Sequence, residues 1–399
     1  MSHRILYHHR IRADDGQAVH VRELILALRA EGHEVLECAL VPKAGPASGP
    51  SAPAPAAAVR GFGWQRLALP RAAVELLEIG YGRHGARMLR RAAAEFRPDF
   101  VYERHALHCD AGLRAARAFG VPLLLEVNSP LCDEMQRLGT LRFPRRARAT
   151  ERRVLAGADL VLAVTEVLRG ILLGLGARAE RTLVVPNGAV PERYGDAARA
   201  GAAALRRTLG VGEGGFVLGF VGYMRDWHRL DLAVELLPRP RYAGLHLLLV
   251  GEGPALDGVL ARARELGVAD RVHAAGVVPA DELPARVCSF DAALIPAINR
   301  YASPLKLFDS LAAGVPTIAP RQPNLEESIE DGVDGILFEP GSAEALDRAL
   351  APLVADPARA RRIGAGGRER LRREDWTWAG NARRVVRAFE ALRDGRPLR

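Results

Sequence analysis

The sequence predicts an α/β protein built as two doubly wound domains, each a parallel sheet covered by helices, facing each other across a cleft. Three observations predict it. The chain has 399 residues, more than the ~250–300 at which a single core stops growing, so two domains are the default. Short β-rich runs alternate with helical stretches of roughly 10–18 residues, the pattern of parallel βαβ units. Apolar residues make up 49% of the chain and charged residues 26%, a globular composition with material for two cores.

Taken in order, the first strand is expected at Arg4–His8. It runs into Arg10-Ile11-Arg12-Ala13-Asp14-Asp15-Gly16-Gln17 and a helix Ala18–Ala30, whose N-terminal amides would point at a ligand in the cleft. Gly16 suits a tight loop there. A second strand, Glu34–Leu40, precedes Ala44–Ala58, a Pro/Ala/Gly/Ser-rich stretch read as a flexible surface loop at 44–58. Strands Phe100–Arg104, Leu123–Val127, Leu160–Val164 and Thr182–Val185 complete this half. His105, His108, Glu126 and Asn128 stand at or just after strand ends, where ligands of doubly wound sheets bind. The segments Arg60–Tyr81 and Met135–Arg148 give no assignable pattern. Between Arg142 and Arg153 six arginines crowd into twelve residues, which reads as a solvated helix face or as a contact for an anionic acceptor or membrane surface.

Pro191–Gly201 marks the boundary. The N-terminal domain is expected at 1–192, the C-terminal domain at 193–375, and a final helix within 376–399, from Trp376 to Leu392, that packs back on the N-terminal domain. Second-half strands are expected at Phe216–Val221, His246–Val250, Val272–Ala274, Ala292–Ile295, Thr317–Ala319 and Ile336–Phe338, with helices Ala343–Val354 and Pro357–Leu371 closing the domain.

Motifs follow the strands of this half. Gly219-Phe220-Val221-Gly222 leads into Tyr223-Met224-Arg225-Asp226-Trp227-His228-Arg229, which puts Arg225, His228 and Arg229 at the mouth of a strand as a phosphate clamp or as surface charge. Val250-Gly251-Glu252-Gly253-Pro254 offers glycines that let backbone approach a base or ribose, or simply turn the chain. Most informative is Ser303-Pro304-Leu305-Lys306-Leu307-Phe308-Asp309. Ser303 is expected as N-cap and Pro304 as first helical residue, so the amides of Leu305 and Lys306 would face a diphosphate. Lys306 is one of only two lysines, with Lys43, among 56 basic residues; a compact ammonium in an arginine-rich chain suggests a phosphate site. Asp309, three positions on, can share its face, offering a carboxylate to ribose hydroxyls or forming a plain Lys306–Asp309 surface pair.

Composition narrows the rest. A net charge of +9 and a pI near 9.9 would raise nucleic acid as a partner, but the arginines spread through the chain and no specific nucleic-acid recognition is expected. The cysteines, Cys38, Cys109, Cys132 and Cys288, lack Cys-x-x-Cys spacing, so neither a zinc site nor a disulfide framework is indicated. No apolar run reaches the ~18 residues of a membrane span, and Met1-Ser2-His3-Arg4 leads into a strand. A cytoplasmic protein is expected, touching the inner membrane face at most peripherally through Arg142–Arg153.

At this point the chain resembles the retaining sugar-nucleotide-dependent transferases of glycosyltransferase family 4. The resemblance runs over nearly its whole length. It is carried by Gly32-His33-Glu34-Val35, Val185-Pro186-Asn187-Gly188, Phe220-Val221-Gly222, Val250-Gly251-Glu252-Gly253-Pro254, the Ser303–Asp309 motif with Ala313-Gly314-Val315-Pro316, and Gly332-x-x-Gly335 with Leu337-Phe338-Glu339-Pro340-Gly341. It implies GT-B architecture, two Rossmann-like domains facing across a cleft, the first (1–192) binding the acceptor and the second (193–375) the nucleotide sugar, and transfer of a sugar from a nucleoside diphosphate sugar to a hydroxyl acceptor: a glycoconjugate, a lipid-linked acceptor or a natural product. It also implies retention and no essential metal or other cofactor. No Asp-x-Asp motif of the metal-dependent transferases appears, and helix N-termini and cations can take the metal's place at the diphosphate.

The family's residues transfer unevenly. Where members place an Arg after Gly222 and a Lys five residues beyond it, this chain has Tyr223 and His228, so Arg225 and Lys306 are the candidates for phosphate charge. The paired glutamates become Tyr301 and Asp309; a His common near the reacting carbon becomes Asn128. The implied donor site comprises Gly16, Gly222, His228, Gly251, Gly253, Tyr301, Ser303, Pro304, Leu305 and Asp309. The implied catalytic set is Lys306, Arg225, Glu126, Asn128 and His105. In the family the leaving diphosphate is considered to accept the acceptor's proton. Two alternatives stay open: a catalytically weak nucleotide-sugar-binding pseudo-transferase, suggested by the replaced residues, and a non-hydrolysing sugar-nucleotide epimerase.

Overall fold

The computed structural model describes residues 1–45 and 70–398. It divides into two compact units, Met1–Pro186 with Trp378–Arg399, and Asn187–Thr377.

In the first unit the strands are β1 (Arg4–His9), β2 (Glu34–Ala39), β3 (Phe100–Arg104), β4 (Leu123–Val127), β5 (Leu160–Ala163) and β6 (Thr182–Val184). All pairings are parallel, in the order β2-β1-β3-β4-β5-β6. Ile5–Tyr7 and Leu123–Leu125 are fully buried, as strands covered on both faces must be. The helices are α1 (Gly16–Ala30), α2 (Arg71–Phe96), α3 (Ala111–Phe119), α4 (Leu131–Arg137), α5 (Pro144–Gly157) and α6 (Glu166–Gly174). Gly16 is the first residue of α1 rather than part of a left-handed loop, and Asp15 caps the helix by accepting from the Gln17 N–H at 2.9 Å. The expected loop at 44–58 lies outside the described residues beyond Gly45. So does the first part of Arg60–Tyr81, whose remainder opens α2.

The second unit repeats the plan with β7 (Phe216–Val221), β8 (Leu245–Val250), β9 (Val272–Gly276), β10 (Ala292–Leu294), β11 (Thr317–Pro320) and β12 (Gly335–Phe338), again parallel, ordered β12-β11-β10-β7-β8-β9. Its helices are α7 (Asp196–Thr208), α8 (Asp231–Val234), α9 (Leu256–Glu265), α10 (Leu283–Cys288), α11 (Leu305–Ala313), α12 (Pro323–Glu326), α13 (Ala343–Ala355) and α14 (Pro357–Arg373). All twelve expected strands form, with ends shifted by at most two residues. The last helix, α15 (Trp378–Arg393), belongs to the first unit, where it packs on α1. It starts after the expected Trp376 because the Ala189 N–H donates to the Trp376 carbonyl at 3.2 Å and Ala189 bridges Thr377, which holds both residues in the second unit.

Strand order locates the switch points, where consecutive crossovers run in opposite directions and leave a crevice at the carboxyl ends of the strands. In the first unit that point lies between β1 and β3. In the second it lies between β7 and β10, so the loops leaving Val221 and Leu294 converge there.

Candidate functional site

At the second unit's switch point the structure brings together Gly222, His228 and Lys306. Lys306 sits in the first turn of α11, and its Nζ lies 3.9 Å from the centroid of the Phe220 ring, over its face. A Cβ at Gly222 would stand 3.1 Å from that nitrogen, so glycine leaves the ammonium its place. Burial pushes the Lys306 pKa down to about 7, because an enclosed charge loses its hydration. The alternative considered from sequence, a surface pair between Lys306 and Asp309, does not form. Asp309 Oδ1 instead accepts from the Tyr194 hydroxyl at 2.6 Å.

His228 completes the wall. Its ring meets Phe220 edge-on at 5.2 Å between centroids, and its Nδ1 accepts from the Arg225 N–H at 3.1 Å. Burial, with the charges of Lys306 and Arg225 adding to it, pushes the His228 pKa down to about 3. His228 is therefore neutral at physiological pH, which corrects its reading as a cation. Arg225 is exposed and lays its guanidinium over Tyr223, 5.1 Å from the ring centroid. Arg229 turns away to Asp231 at 3.0 Å.

The two downstream glycines have a packing role. A Cβ on Gly251 would meet the Gly222 carbonyl oxygen at 2.2 Å, and one on Gly253 the Met224 oxygen at 2.1 Å. Both have positive φ, +122° and +150°, so they serve the close approach of two backbones. The Met224 N–H donates to the Glu252 carbonyl at 2.7 Å across this contact.

Ser303 and Pro304 are arranged differently from the expected cap. Pro304 occupies the cap position with extended backbone, and Leu305 is the first helical residue. The Ser303 hydroxyl accepts from the Asn187 N–H at 3.2 Å, while the Asn187 side chain donates to the Ser303 carbonyl at 2.5 Å. The hydroxyl is thus spent on tying α11's entry to Asn187. The amides of Leu305 and Lys306 lie in the first turn, where no intrahelical acceptor exists. Tyr301 is buried just upstream. Asn187 and Tyr194 went unassigned from sequence. Val-Pro-Asn-Gly was the available signal for the first, and nothing local marks the second.

In the first unit Glu126 is surrounded by donors, whereas both ring nitrogens of the buried His105 lack a hydrogen-bond partner. Glu126 is buried; its Oε1 accepts from Arg104 Nη1 at 2.5 Å and from the Asn128 amide, and its Oε2 from the Tyr102 hydroxyl at 2.6 Å, with His20 Nε2 at 2.9 Å. Burial raises its pKa, but His20, Arg104 and the hydrogen bonds outweigh this and hold it well below the usual carboxylate range. The carboxylate orients its neighbours and is a poor proton acceptor. The His105 side chain is buried with Nε2 3.6 Å from Glu151 Oε1. His108, at φ +58°, points Nε2 at Glu75 Oε1, 2.8 Å away. Gly16 and this set belong to the first unit, whereas the Lys306 group belongs to the second. Among the described residues one cluster has ligand types for a divalent cation: His8, Glu103 and Cys109, all buried, with ligand atoms within 4.8 Å of one another. His8 there already spans Glu103 at 2.6 Å and Tyr81 at 3.0 Å.

Two family models match the chain: "Glycosyl transferase 4-like domain" over residues 15–188 and "Glycosyl transferases group 1" over residues 215–356. The chain belongs to the GT-B glycosyltransferases related to family 4. It is similar to the GDP-mannose-dependent alpha-(1-6)-phosphatidylinositol monomannoside mannosyltransferase of Mycolicibacterium smegmatis, 28% identical over 63% of this chain and 67% of that one. It is also similar to the 2-deoxystreptamine glucosyltransferase of Streptomyces kanamyceticus, 30% identical over 62% of this chain and 65% of that one. The match thus spans about two thirds of the length of these relatives. Among solved structures, Anabaena HepE in complex with UDP and glucose superimposes with a TM-score of 0.70 at 16% identity, over 98% of this chain and all of that one. That likeness is one of fold, and the two parallel Rossmann-like units match it.

Proposed function

We propose that the chain transfers a glycosyl group from a nucleoside diphosphate sugar to a hydroxyl acceptor, with retention, and that the second unit holds the donor diphosphate. Lys306 carries this reading. Its ammonium is enclosed by an aromatic face and a glycine backbone, and no carboxylate pairs with it among the described residues. A half-buried cation without a counter-ion is unfavourable, and a diphosphate supplies the missing charge. The first-turn amides of α11 add donors for the same oxygens, and in this reading Asp309, which accepts from Tyr194, also accepts from ribose hydroxyls.

In the proposed reaction the bond from the anomeric carbon to the phosphate oxygen breaks as the acceptor oxygen bonds that carbon on the same face. The acceptor's proton passes to a phosphate oxygen of the leaving diphosphate, since Glu126 is occupied by its own donors. Negative charge grows on the diphosphate, so Lys306 and the amides stabilise the transition state more than the ground state. In this reading they take the charge-neutralising part a metal would play, and no metal is required. The acceptors in the relatives' names, a phosphatidylinositol mannoside and 2-deoxystreptamine, support a hydroxyl on a six-membered polyol ring as the acceptor.

The protein is proposed to work in the cytoplasm and to touch anionic membrane peripherally. Arg142, Arg145, Arg146 and Arg152 are exposed on and beside α5, as are Leu76, Leu77 and Leu138. Glu75 joins these segments by accepting from the Arg142 and Phe143 N–H groups at 2.6 and 2.8 Å. Among the described residues no helix is long and apolar enough to cross a membrane.

A thermal-shift screen across UDP-, GDP-, dTDP- and ADP-linked sugars tests the donor site, since a ligand that binds only the folded state stabilises it. A shift with one nucleotide series that is lost in Lys306→Ala is expected. Absence of any shift would overturn the reading, and donor conversion without acceptor would favour an epimerase.

A further inference from the structure

Asp309 follows Lys306 by three positions in α11, so the two side chains leave the helix on one face, where an acid and a base ordinarily pair. They do not pair here. Asp309 Oδ1 accepts from the Tyr194 hydroxyl at 2.6 Å, a partner 115 positions away in sequence. Burial, with the charge of Asp309 adding to it, pushes the Tyr194 pKa far above the usual phenol value, so the hydroxyl stays a donor at physiological pH.

Tyr194 is itself held firmly. It ends the short turn Pro191–Tyr194, and its ring, 5% exposed, shares a core cluster with Phe308 and Leu311 of α11. The segment leading to it is tied to the same helix: Asn187 binds Ser303 through its N–H and its side chain, and the Ala189 N–H donates to the carbonyl of Trp376, whose ring meets Phe308 edge-on at 5.7 Å between centroids. A buried phenol on an anchored segment thus grips a carboxylate that is only half-buried. A carboxylate has about four lone-pair sites and this hydroxyl takes one of them, so the contact orients Asp309 and does not by itself saturate it.

We infer that Tyr194 is a positioning residue for the donor: it draws Asp309 away from Lys306 and presents it to the ribose, so that the site selects ribonucleoside diphosphates over their 2′-deoxy counterparts. This rests on the proposed donor site and adds to it the residue that sets its nucleotide class. Two consequences of the one hydrogen bond work together. Lys306 is left without an acid and free to meet the diphosphate, and the carboxylate is aimed at the vicinal hydroxyls of the sugar. A site built to receive a hydroxyl discriminates against a ligand that lacks it, because its own polar group then goes without a partner. Tyr194 acts through Asp309 and is not a catalytic residue.

The experiment uses the full chain. UDP, GDP and ADP and their 2′-deoxy counterparts are titrated by calorimetry into the wild type, Tyr194→Phe, Asp309→Asn, the double variant and Lys306→Ala, with melting curves on each. Tyr194→Phe keeps the buried ring and removes one oxygen. The wild type should bind one ribonucleotide about 10- to 100-fold more tightly than its deoxy form, the scale of a hydrogen bond to a charged group. In Tyr194→Phe that ratio should fall to within about threefold, while deoxynucleotide affinity stays within about twofold of the wild type. Asp309→Asn should lose the ratio as well, and Tyr194→Phe should then add nothing to it, since both act on one contact. Lys306→Ala should weaken both members of a pair alike and keep their ratio. A wild-type ratio retained in Tyr194→Phe overturns the proposal, as does an equal loss of both affinities, which would make the hydroxyl a tie of the fold alone. Additive losses in the double variant, or a wild type indifferent to the 2′-hydroxyl, overturn it too. Failure of the donor reading looks different: no member of any pair binds the wild type, and this inference falls with it.

Discussion

The two switch points share a topology and differ in electrostatics. Between β1 and β3, His8 and Glu103 sit side by side in register and pair at 2.6 Å, Tyr81 takes the other imidazole nitrogen, and the Gly112 N–H donates to Glu103 at 2.9 Å. Next to them Glu126 gathers Arg104, Tyr102, Asn128 and His20. Between β7 and β10, Lys306 faces an aromatic ring and a neutral imidazole, with no acid paired to it among the described residues. In one crevice each of these acids has a basic partner, and in the other the cation has no acid paired with it among the described residues. In the proposed reading, the difference separates a half built for strength from a half held ready for a charged ligand.

The largest test of that contrast is stability. Glu126→Gln leaves Arg104 and His20 without their counter-charge and should cost about 3–5 kcal/mol in urea unfolding. Lys306→Met removes an unpaired, half-buried cation and should leave stability unchanged or raised. Comparable losses in both would erase the distinction. Next in size, Lys306→Ala should weaken nucleoside diphosphate binding by about 10- to 100-fold, as expected for charge-assisted hydrogen bonds of ~1.5–3 kcal/mol. Lys306→Arg should restore only part of it, because a planar guanidinium does not fit the place of a compact ammonium.

A third outcome concerns pH. With the folded-state pKa near 7 and the unfolded value ~10.4, the unfolded chain binds the extra proton between those limits. Lys306 therefore makes the nucleotide-free protein more stable as pH rises from about 7 towards 10. Nucleotide affinity should move the other way, falling as pH rises above 7 and the ammonium discharges. Melting curves and calorimetry on the wild type and Lys306→Met read both slopes, and identical slopes would return Lys306 to an ordinary solvated role. The smallest expected effect is at Ser303→Ala, which removes one acceptor from the Asn187 N–H and should cost about 1 kcal/mol in urea unfolding.

Much of the fold was legible because alternation of β-rich and helical runs is a local signal, and all twelve strands form where that signal lies. Lys306 and its motif were legible for a related reason: composition set the residue apart, and the small-residue helix around it was continuous in sequence. What was not legible is pairing at a distance. Tyr194 meets Asp309 and Asn187 meets Ser303 across more than a hundred residues, and neither partner advertises the other. The same holds for Glu126, read as a catalytic candidate because its donors on α1 and β3 were out of view. His228 was read as a cation because burial against Phe220 and Lys306 is a property of packing. The Ser303 cap failed by one position, since Asn187 competed for the hydroxyl.

The return of α15 to the first unit has a bearing on how the chain is made. Its partners lie at the opposite end of the sequence: Arg383 reaches Glu31 at 2.6 Å, Glu390 accepts from His3 at 2.9 Å, and Phe389 stacks near Phe100. Closing such contacts requires the longest loops the chain possesses, and their entropy must be met before the contacts reward it. During synthesis the first unit emerges first but lacks α15 until residues 378–393 have been made, while the second unit, Asn187–Thr377, is contiguous and precedes that helix. The half that is translated first is thus the half that is finished last, and it waits with part of α1 uncovered.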